Sequence, residues 1–375
     1  MSAATDMLNS LLFPNREQHA IPALDGAYSP NSALDSFPAL DGTFEAPDDI
    51  AAGDGALFVS SGRRLLRVDP NNGAGATPIA EFEAPITAMT RLADGGFVVA
   101  LNGAGLLHVD AAGTTRAKLS QLAGVPLRSV TAVAEDLSRG GVYFTVGSQL
   151  HDAEDWIWDL MESNRTGRLA YWPPNADRAE VLLDGLAYPN GLQVEDNGAS
   201  LLFTQSWNHS LARYRLSGGP GQRGFEVVID NMPGYPARIA PAQGGGHWLA
   251  LFALRTQLVE LMLKDRAFRR EMMATVDPVL WIRPALRTLG SHLEPLQGGG
   301  IKKLGIRKPW APPRSYGLVL RLDSQCEPLR SFHSRVDGRQ HGIMAAREID
   351  GRLYAVAKGN DCILVQDLDS LGANR

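Results

Sequence analysis

The chain has 375 residues, of which 44% are hydrophobic and 21% charged, and a formal net charge of -5. This composition belongs to a globular chain with ample apolar material for a core, and the negative balance argues against nucleic acid as the general partner of its surface. Its two cysteines, Cys326 and Cys362, form no CxxC pair, so the fold is not expected to depend on disulfides and a reducing, cytoplasmic setting is expected.

The amino terminus, beginning Met1-Ser2-Ala3-Ala4-Thr5-Asp6, lacks a basic n-region, and Leu11-Leu12-Phe13 is too short for a signal core. No stretch reaches the ~18 apolar residues of a bilayer-crossing helix. Residues 1–44 are predicted to form an arm, in which Pro22-Ala23-Leu24-Asp25-Gly26 is echoed by Pro38-Ala39-Leu40-Asp41-Gly42. From residue 45 onward a turn dipeptide repeatedly leads into a short apolar run. The instances are Asp54-Gly55 before Ala56–Val59, Asp94-Gly95 before Gly96–Val99, and Gly140-Gly141 before Val142–Thr145. Asn197-Gly198 before Ala199–Phe203, Gly245-Gly246 before His247–Ala250 and Asp350-Gly351 before Arg352–Val356 follow. Glycine closes each tight turn, and β-branched or aromatic residues then supply a buried strand. A further strand is expected upstream of each turn, as at Ala46–Ala51, Tyr188–Gln193 and Tyr235–Ala240. A third ends in Leu65–Asp69, Leu106–Asp110, Leu211–Arg215 and Leu318–Asp323. A unit of about 40–50 residues with about four strands is a propeller blade, because so small a sheet buries both faces only when neighbours stack on it. The expected fold is therefore all-β, a six-bladed β-propeller over residues 45–375. Either the arm or the strand Ile363–Asp367 is expected to close the ring.

Two insertions break this rhythm. Residues 152–165 open with Asp152, Glu154 and Asp155 and then place Ile157, Leu160 and Met161 on one stripe, which predicts a short helix. Residues 255–314 carry Leu258, Leu261 and Met262 at helical spacing, then Trp281, Ala285, Leu286 and Leu289, before a Gly298-Gly299-Gly300 hinge. This second insertion holds twelve Lys or Arg against five Asp or Glu, so it carries +7 and the remainder -12. It is expected to be a basic helical lid over the central channel, attracting an anionic substrate or making peripheral contact with an anionic membrane.

The runs Val142–Thr145, Thr166–Leu169, Val181–Leu192 and Met232–Pro236 resemble the strictosidine-synthase-like family, within the wider group of gluconolactonase (senescence marker protein) and paraoxonase propellers. The resemblance extends from about Pro22 onward and is most specific between Asp184 and Gly191. It implies a small-molecule site at the mouth of the axial channel and a reaction in which a lactone or ester is hydrolysed. A lyase or condensing reaction on a carbonyl or amine compound is the alternative, and a non-catalytic propeller docking through its lid is a third.

In the hydrolytic relatives the resemblance implies calcium held by oxygen ligands. Asp48 falls where the family has its Glu, and Asn190 matches a ligand Asn, so these two would hold a cation. The other ligand positions are Val146, Ala237 and Arg238, and a guanidinium repels a cation. Hence the cofactor is expected to be none, or calcium through the two retained positions. Arg238 is expected either to bind a carboxylate or developing oxyanion, together with Asn190, or to form a salt bridge to Asp48. Asp48 or His341 is expected to accept the water proton. Met344 stands where the synthase branch has its catalytic Glu. Gln205, Trp207 and Phe252 are expected to line the substrate pocket.

Overall fold

Each turn dipeptide separates the first two strands of an antiparallel meander. At Asp54-Gly55 and Asp350-Gly351 both turn residues have positive φ (51° and 67°; 49° and 75°), the geometry whose twist matches a two-residue hairpin. A computed structural model describes residues 21–70, 72–195, 198–216, 224–288 and 315–372, with the pairs 302–303 and 306–307. Among the described residues its strands form six sheets of three or four strands around one axis, a six-bladed β-propeller with few short helices, and two separate two-stranded ribbons, Gln121–Leu122 with Val125–Pro126 and Lys302–Lys303 with Ile306–Arg307. Blade I comprises Ile50–Gly53, Ala56–Ser61, Arg64–Asp69 and Asn72–Glu81, and blade II Ile86–Arg91, Phe97–Leu101, Gly105–Val109 and Thr115–Leu119. Blade III is Val130–Glu135, Val142–Val146, Gly167–Trp172 and Glu180–Leu186, and blade IV Pro189–Glu195, Ser200–Gln205, Ser210–Arg215 and Phe225–Ile229. Blade V is Gly234–Pro241, His247–Leu254, Gly317–Leu322 and Pro328–Ser334, and blade VI Ile343–Ile349, Arg352–Ala357 and Cys362–Asp367.

The second strand of each blade is packed on both faces; Ala56–Ser61, Val142–Val146 and Ser200–Gln205 are buried throughout, whereas the outer Phe225–Ile229 is exposed or intermediate. This explains why these strands read as continuous apolar runs rather than as alternating ones. Neighbouring blades share their apolar side chains. Phe58 of blade I meets Phe97 of blade II edge-on at 4.9 Å, and Leu40 and Phe44 join blades I and VI in one cluster.

Both candidate segments take part where the ring closes. Cys362–Asp367 is the third strand of blade VI, and on its free edge Leu40 N donates to Ile363 O (2.7 Å) while Val365 N donates to Pro38 O (2.8 Å). Further upstream, Asn31 and Asp35 bind the outer strand of blade V: Asn31 Oδ1 accepts from His333 N (3.0 Å) and Asp35 Oδ1 from Ser334 Oγ (2.7 Å).

The described parts of the two insertions reach the axial cavity through Ala153, Glu154, Trp156 and Leu286. Helix α1 (Trp156–Glu162) follows a 3-10 turn at Ala153–Asp155 and stops at Ser163, whose φ is 59°. In the longer insertion α2 (Gln257–Lys264) is capped by Thr256, which accepts from Val259 N, and α3 (Arg266–Thr275) by Asp265, which accepts from Ala267 N and Phe268 N. The second lid helix is therefore not at the Trp281 stripe. Residues 281–288 are non-helical after a 3-10 turn at Pro278–Leu280. Pro284 explains this, since it lacks an N–H and pushes Arg283 out of the helical region. Trp281 and Ala285 are spaced as on a helix because both are buried, Trp281 edge-on against Trp158 of α1 at 4.6 Å. Leu289 and the Gly298–Gly300 hinge lie outside the described residues.

Candidate functional site

In five of the six blades the residue at the axis is set by the same device, a slip in the pairing of the first two strands. In blades II, III, IV and VI the pairing of the first two strands slips by one residue, at Thr87, Thr131, Asn190 and Met344; in blade V it slips by one between Pro236 and Ile239, leaving Ala237 and Arg238 out of the register, after an opposite slip at Phe252. A bulge leaves its extra residue out of the ladder and re-aims its side chain. In blade I the corresponding place is taken by Asp48 and Asp49, just before Ile50, whose amides both donate to Ser60 Oγ at 3.1 and 2.8 Å. Backbone carbonyls near the axis are satisfied from neighbouring blades: Thr87 Oγ1 donates to Val130 O (2.7 Å), Thr131 Oγ1 to Pro189 O (2.6 Å) and Thr204 Oγ1 to Ala237 O (3.0 Å). Gly191 permits the close packing of blades IV and V, because a Cβ there would lie 2.2 Å from Ala237 O.

Asp48, Thr87, Thr131, Asn190, Arg238 and Met344 line a cavity that opens to solvent, with about 460 Å³ of empty space when its open mouth is included. Lys358, from the turn after the second strand of blade VI, joins them. Ala153, Glu154 and Trp156 of the first insertion, Tyr188, Phe252 and Leu286 complete the lining. The cavity thus has a polar floor and largely apolar walls. Lid and blade VI touch closely at Gly359, where a Cβ would stand 2.1 Å from Leu286 O. Tyr188 takes φ 54°, an uncommon conformation for a bulky residue, with its ring stacked on Trp207 at 4.4 Å.

A chain of five charges runs through the floor; Lys358, Asp48 and Arg238 line the cavity, and Asp49 and Arg347 lie outside its lining. Lys358 Nζ lies 2.5 Å from Asp48 Oδ2, and Arg238 Nη2 2.5 Å from Asp48 Oδ1; Arg238 Nε is 3.2 Å from Asp49 Oδ2, and Arg347 Nη2 3.2 Å from Asp49 Oδ1. Asp48, Asp49 and Arg238 are at most 3% exposed. Burial alone would raise the Asp48 carboxyl, but Lys358 and Arg238 outweigh it and hold it below the ordinary carboxylate range. Burial likewise opposes the charge on Arg238, and the two aspartates more than restore it.

Of the residues singled out in the sequence, the fold brings Asp48, Asn190, Arg238 and Phe252 into the cavity lining. The salt bridge of Arg238 to Asp48 is formed. Asp48 is poorly placed to accept a proton, since a cation sits on each of its oxygens. His341 is not in the lining: it is 3% exposed, with Nε2 2.8 Å from Arg335 O and Nδ1 2.9 Å from Ser315 Oγ. A carbonyl only accepts, so Nε2 carries the proton and Nδ1 faces the serine hydroxyl, which leaves the ring committed to the fold. Gln205 is also absent from the lining, its Oε1 accepting from Ala187 N (3.1 Å). Trp207 stands one layer behind Tyr188 and donates from Nε1 to Asp159 Oδ1 at 2.7 Å. Val146 is packed in the core shared with blade II. Lys358, Glu154, Thr87 and Thr131 were missed. The lysine's only sequence signal is its place at the end of the apolar run Leu353–Ala357, while the threonines are marked by bulges that spacing does not disclose.

A divalent cation does not fit this floor. Both Asp48 oxygens already hold cationic groups, and Asn190 is the one uncharged retained ligand beside a guanidinium and an ammonium. Among the described residues no three His, Cys, Asp or Glu side chains converge as a metal cluster.

On the lid, exposed Lys264, Arg266 and Arg270 are matched by exposed Asp265, Glu271 and Asp277, with Leu261 (64%) and Phe268 (47%) exposed among them. No helix among the described residues is long and apolar enough to cross a membrane.

Residues 132–219, most of blades III and IV, match the strictosidine synthase family model. The chain is similar to strictosidine synthase-like protein 13 of Arabidopsis thaliana, with 33% identity over 53% of this chain and 43% of that protein. It is also similar to the adipocyte plasma membrane-associated protein of Salmo salar, with 26% identity over 58% and 47%. The matches thus span about half the length of these curated relatives. Among solved structures, a gluconolactonase from Xanthomonas campestris superposes over 87% of this chain and 86% of its own at TM-score 0.56 and 14% identity. A calcium-binding regucalcin from Agrobacterium tumefaciens superposes over 88% and 92% at TM-score 0.55 and 12% identity. The structural likenesses speak for the fold, and the sequence matches for a similarity to strictosidine synthase-like proteins over part of the chain: the chain is a six-bladed β-propeller.

Proposed function

We propose that the chain is a small-molecule hydrolase of lactone or ester bonds, acting at the axial cavity without a metal ion. The observation that carries this reading is that two donors, the Asn190 carboxamide and the Lys358 ammonium, line the same cavity, where the Asp48 carboxylate is neutralised from both sides. In this scheme the substrate carbonyl oxygen points to the floor and its apolar part lies against Trp156, Phe252 and Leu286. Water adds to the carbonyl carbon, the tetrahedral oxyanion is held by Asn190 Nδ2 and Lys358 Nζ, and Asp48 with Arg238 keeps that ammonium in place. Glu154, the remaining carboxylate of the lining, takes the water proton and returns it to the departing alkoxide. The gluconolactonase among the fold neighbours supports this choice of reaction class.

A second reading, condensation or cleavage between a carbonyl compound and an amine, is supported by the family match over residues 132–219. Met344 at the cavity supplies no carboxylate for it.

The test is a panel of lactones and aryl esters assayed after exhaustive chelation. Turnover should persist, and Asn190→Ala and Lys358→Met should each lower kcat/KM by ~10²–10³ with unchanged circular dichroism. No turnover on any lactone or ester, or turnover that needs added calcium, would overturn the proposal.

A further inference from the structure

The guanidinium of Arg238, a blade V residue, collects oxygen atoms from three other blades. Asp48 Oδ1 and Asp49 Oδ2 of blade I lie 2.5 and 3.2 Å from it, and the carbonyl oxygens of Thr87 (blade II) and Thr131 (blade III) accept from Nη2, the latter at 3.2 Å. Two carboxylates and two carbonyls around one positive centre are the donors a hard divalent cation takes. The contacts are held by charge more than by direction. Nε and Nη1 of Arg238 and Oδ1 of Asp48 have no aligned hydrogen bond, although all three are buried, whereas an arginine shaped to its partner shows parallel bidentate bonds. The Asn190 carboxamide, 4% exposed and without a hydrogen bond in the protein among the described residues, faces the same space.

We infer that Arg238 is a tethered cation filling an oxygen ring that otherwise takes a metal ion, and that a divalent cation such as calcium enters the ring once Arg238 and Lys358 are removed. The charge balance fits this substitution. Asp48 and Asp49 with Arg238, Arg347 and Lys358 carry +1 in all. The double variant R238A/K358M leaves -1, and one calcium ion restores +1.

The inference concerns binding and goes beyond the hydrolase reading, so its test needs no turnover. Thermal unfolding of the full chain is followed in millimolar calcium against chelator. The native chain should melt at the same temperature in both. R238A/K358M should melt several degrees higher in calcium, and adding D48N should abolish that shift. A calcium shift in the native chain that D48N removes, or a folded double variant indifferent to calcium, would overturn the inference. A double variant that folds only when calcium is supplied supports it. Should it fold in neither condition, R238A alone decides: millimolar guanidinium should raise its melting temperature by refilling the ring, and no rise counts against a cation site.

Discussion

Replacing Arg238 by methionine removes the central charge of the floor while keeping most of the side-chain volume. Breaking one side of a buried ion pair typically costs about 3–5 kcal/mol. Here Asp48 keeps Lys358 and Asp49 keeps Arg347, whose side chains are 20% and 28% exposed, so the lower end applies. A loss of about 3 kcal/mol is expected at neutral pH, or roughly 4 °C in Tm for a chain of this size. The pH dependence follows from Asp48. In the native protein its carboxyl is held below the unfolded value, so its contribution is complete above that value and is lost as pH falls through the folded pKa. Without Arg238 desolvation is opposed by Lys358 alone, and the folded pKa moves up. The variant then accepts a proton at higher pH than the native chain, and the stability gap narrows as pH falls toward about 4. Urea unfolding followed by tryptophan fluorescence across this range measures the gap. A loss under about 1 kcal/mol, or one independent of pH, would refute a buried ionic floor.

Asp159, 1% exposed, has its carboxyl raised by burial, against hydrogen bonds that include Trp207. Its ionisation therefore costs stability as pH rises above the unfolded value, and Asp159→Asn, which still accepts from the indole, should gain on the native chain between about pH 4 and 7 in a Tm-versus-pH series; a large loss at pH 7 would contradict this. Burial, with Arg335 nearby, drives His333 down to about 4, and its ring contacts Tyr316 and Ser331. The unfolded chain protonates first, so stability held above about pH 6.5 should fall toward pH 4 by up to ~3 kcal/mol, and His333→Gln should flatten that slope in denaturant titrations. Asp265→Ala should cost about 1 kcal/mol by uncapping α3, and a change confined to the lid would appear as earlier proteolysis there rather than as a lower global midpoint.

How much was legible depended on whether a feature is local. Asp54-Gly55 and Asp350-Gly351 announce tight turns because positive φ is a property of two residues, and the apolar runs after them announce strands packed on both faces. Asn190 was visible within Tyr-Pro-Asn-Gly, and Arg238 through a departure from an expected acidic and amide pair. The Trp281 stripe misled, because burial against Trp158 produces helical spacing without a helix when Pro284 interrupts the hydrogen-bond ladder. His341 misled as well, because nothing in Gln-His-Gly shows that both ring nitrogens are engaged by Arg335 and Ser315.

By itself the sequence determined a six-bladed propeller, since each short two-sided strand set demands neighbours, and it placed an arginine among the ligand positions of the axis. Only the tertiary structure decided what that arginine meets. Lys358 is 310 residues from Asp48, and the Thr131 carbonyl 107 residues from Arg238; ring closure and bulges bring them together. Charge pairing falls off over a few ångströms of space and is blind to distance along the chain.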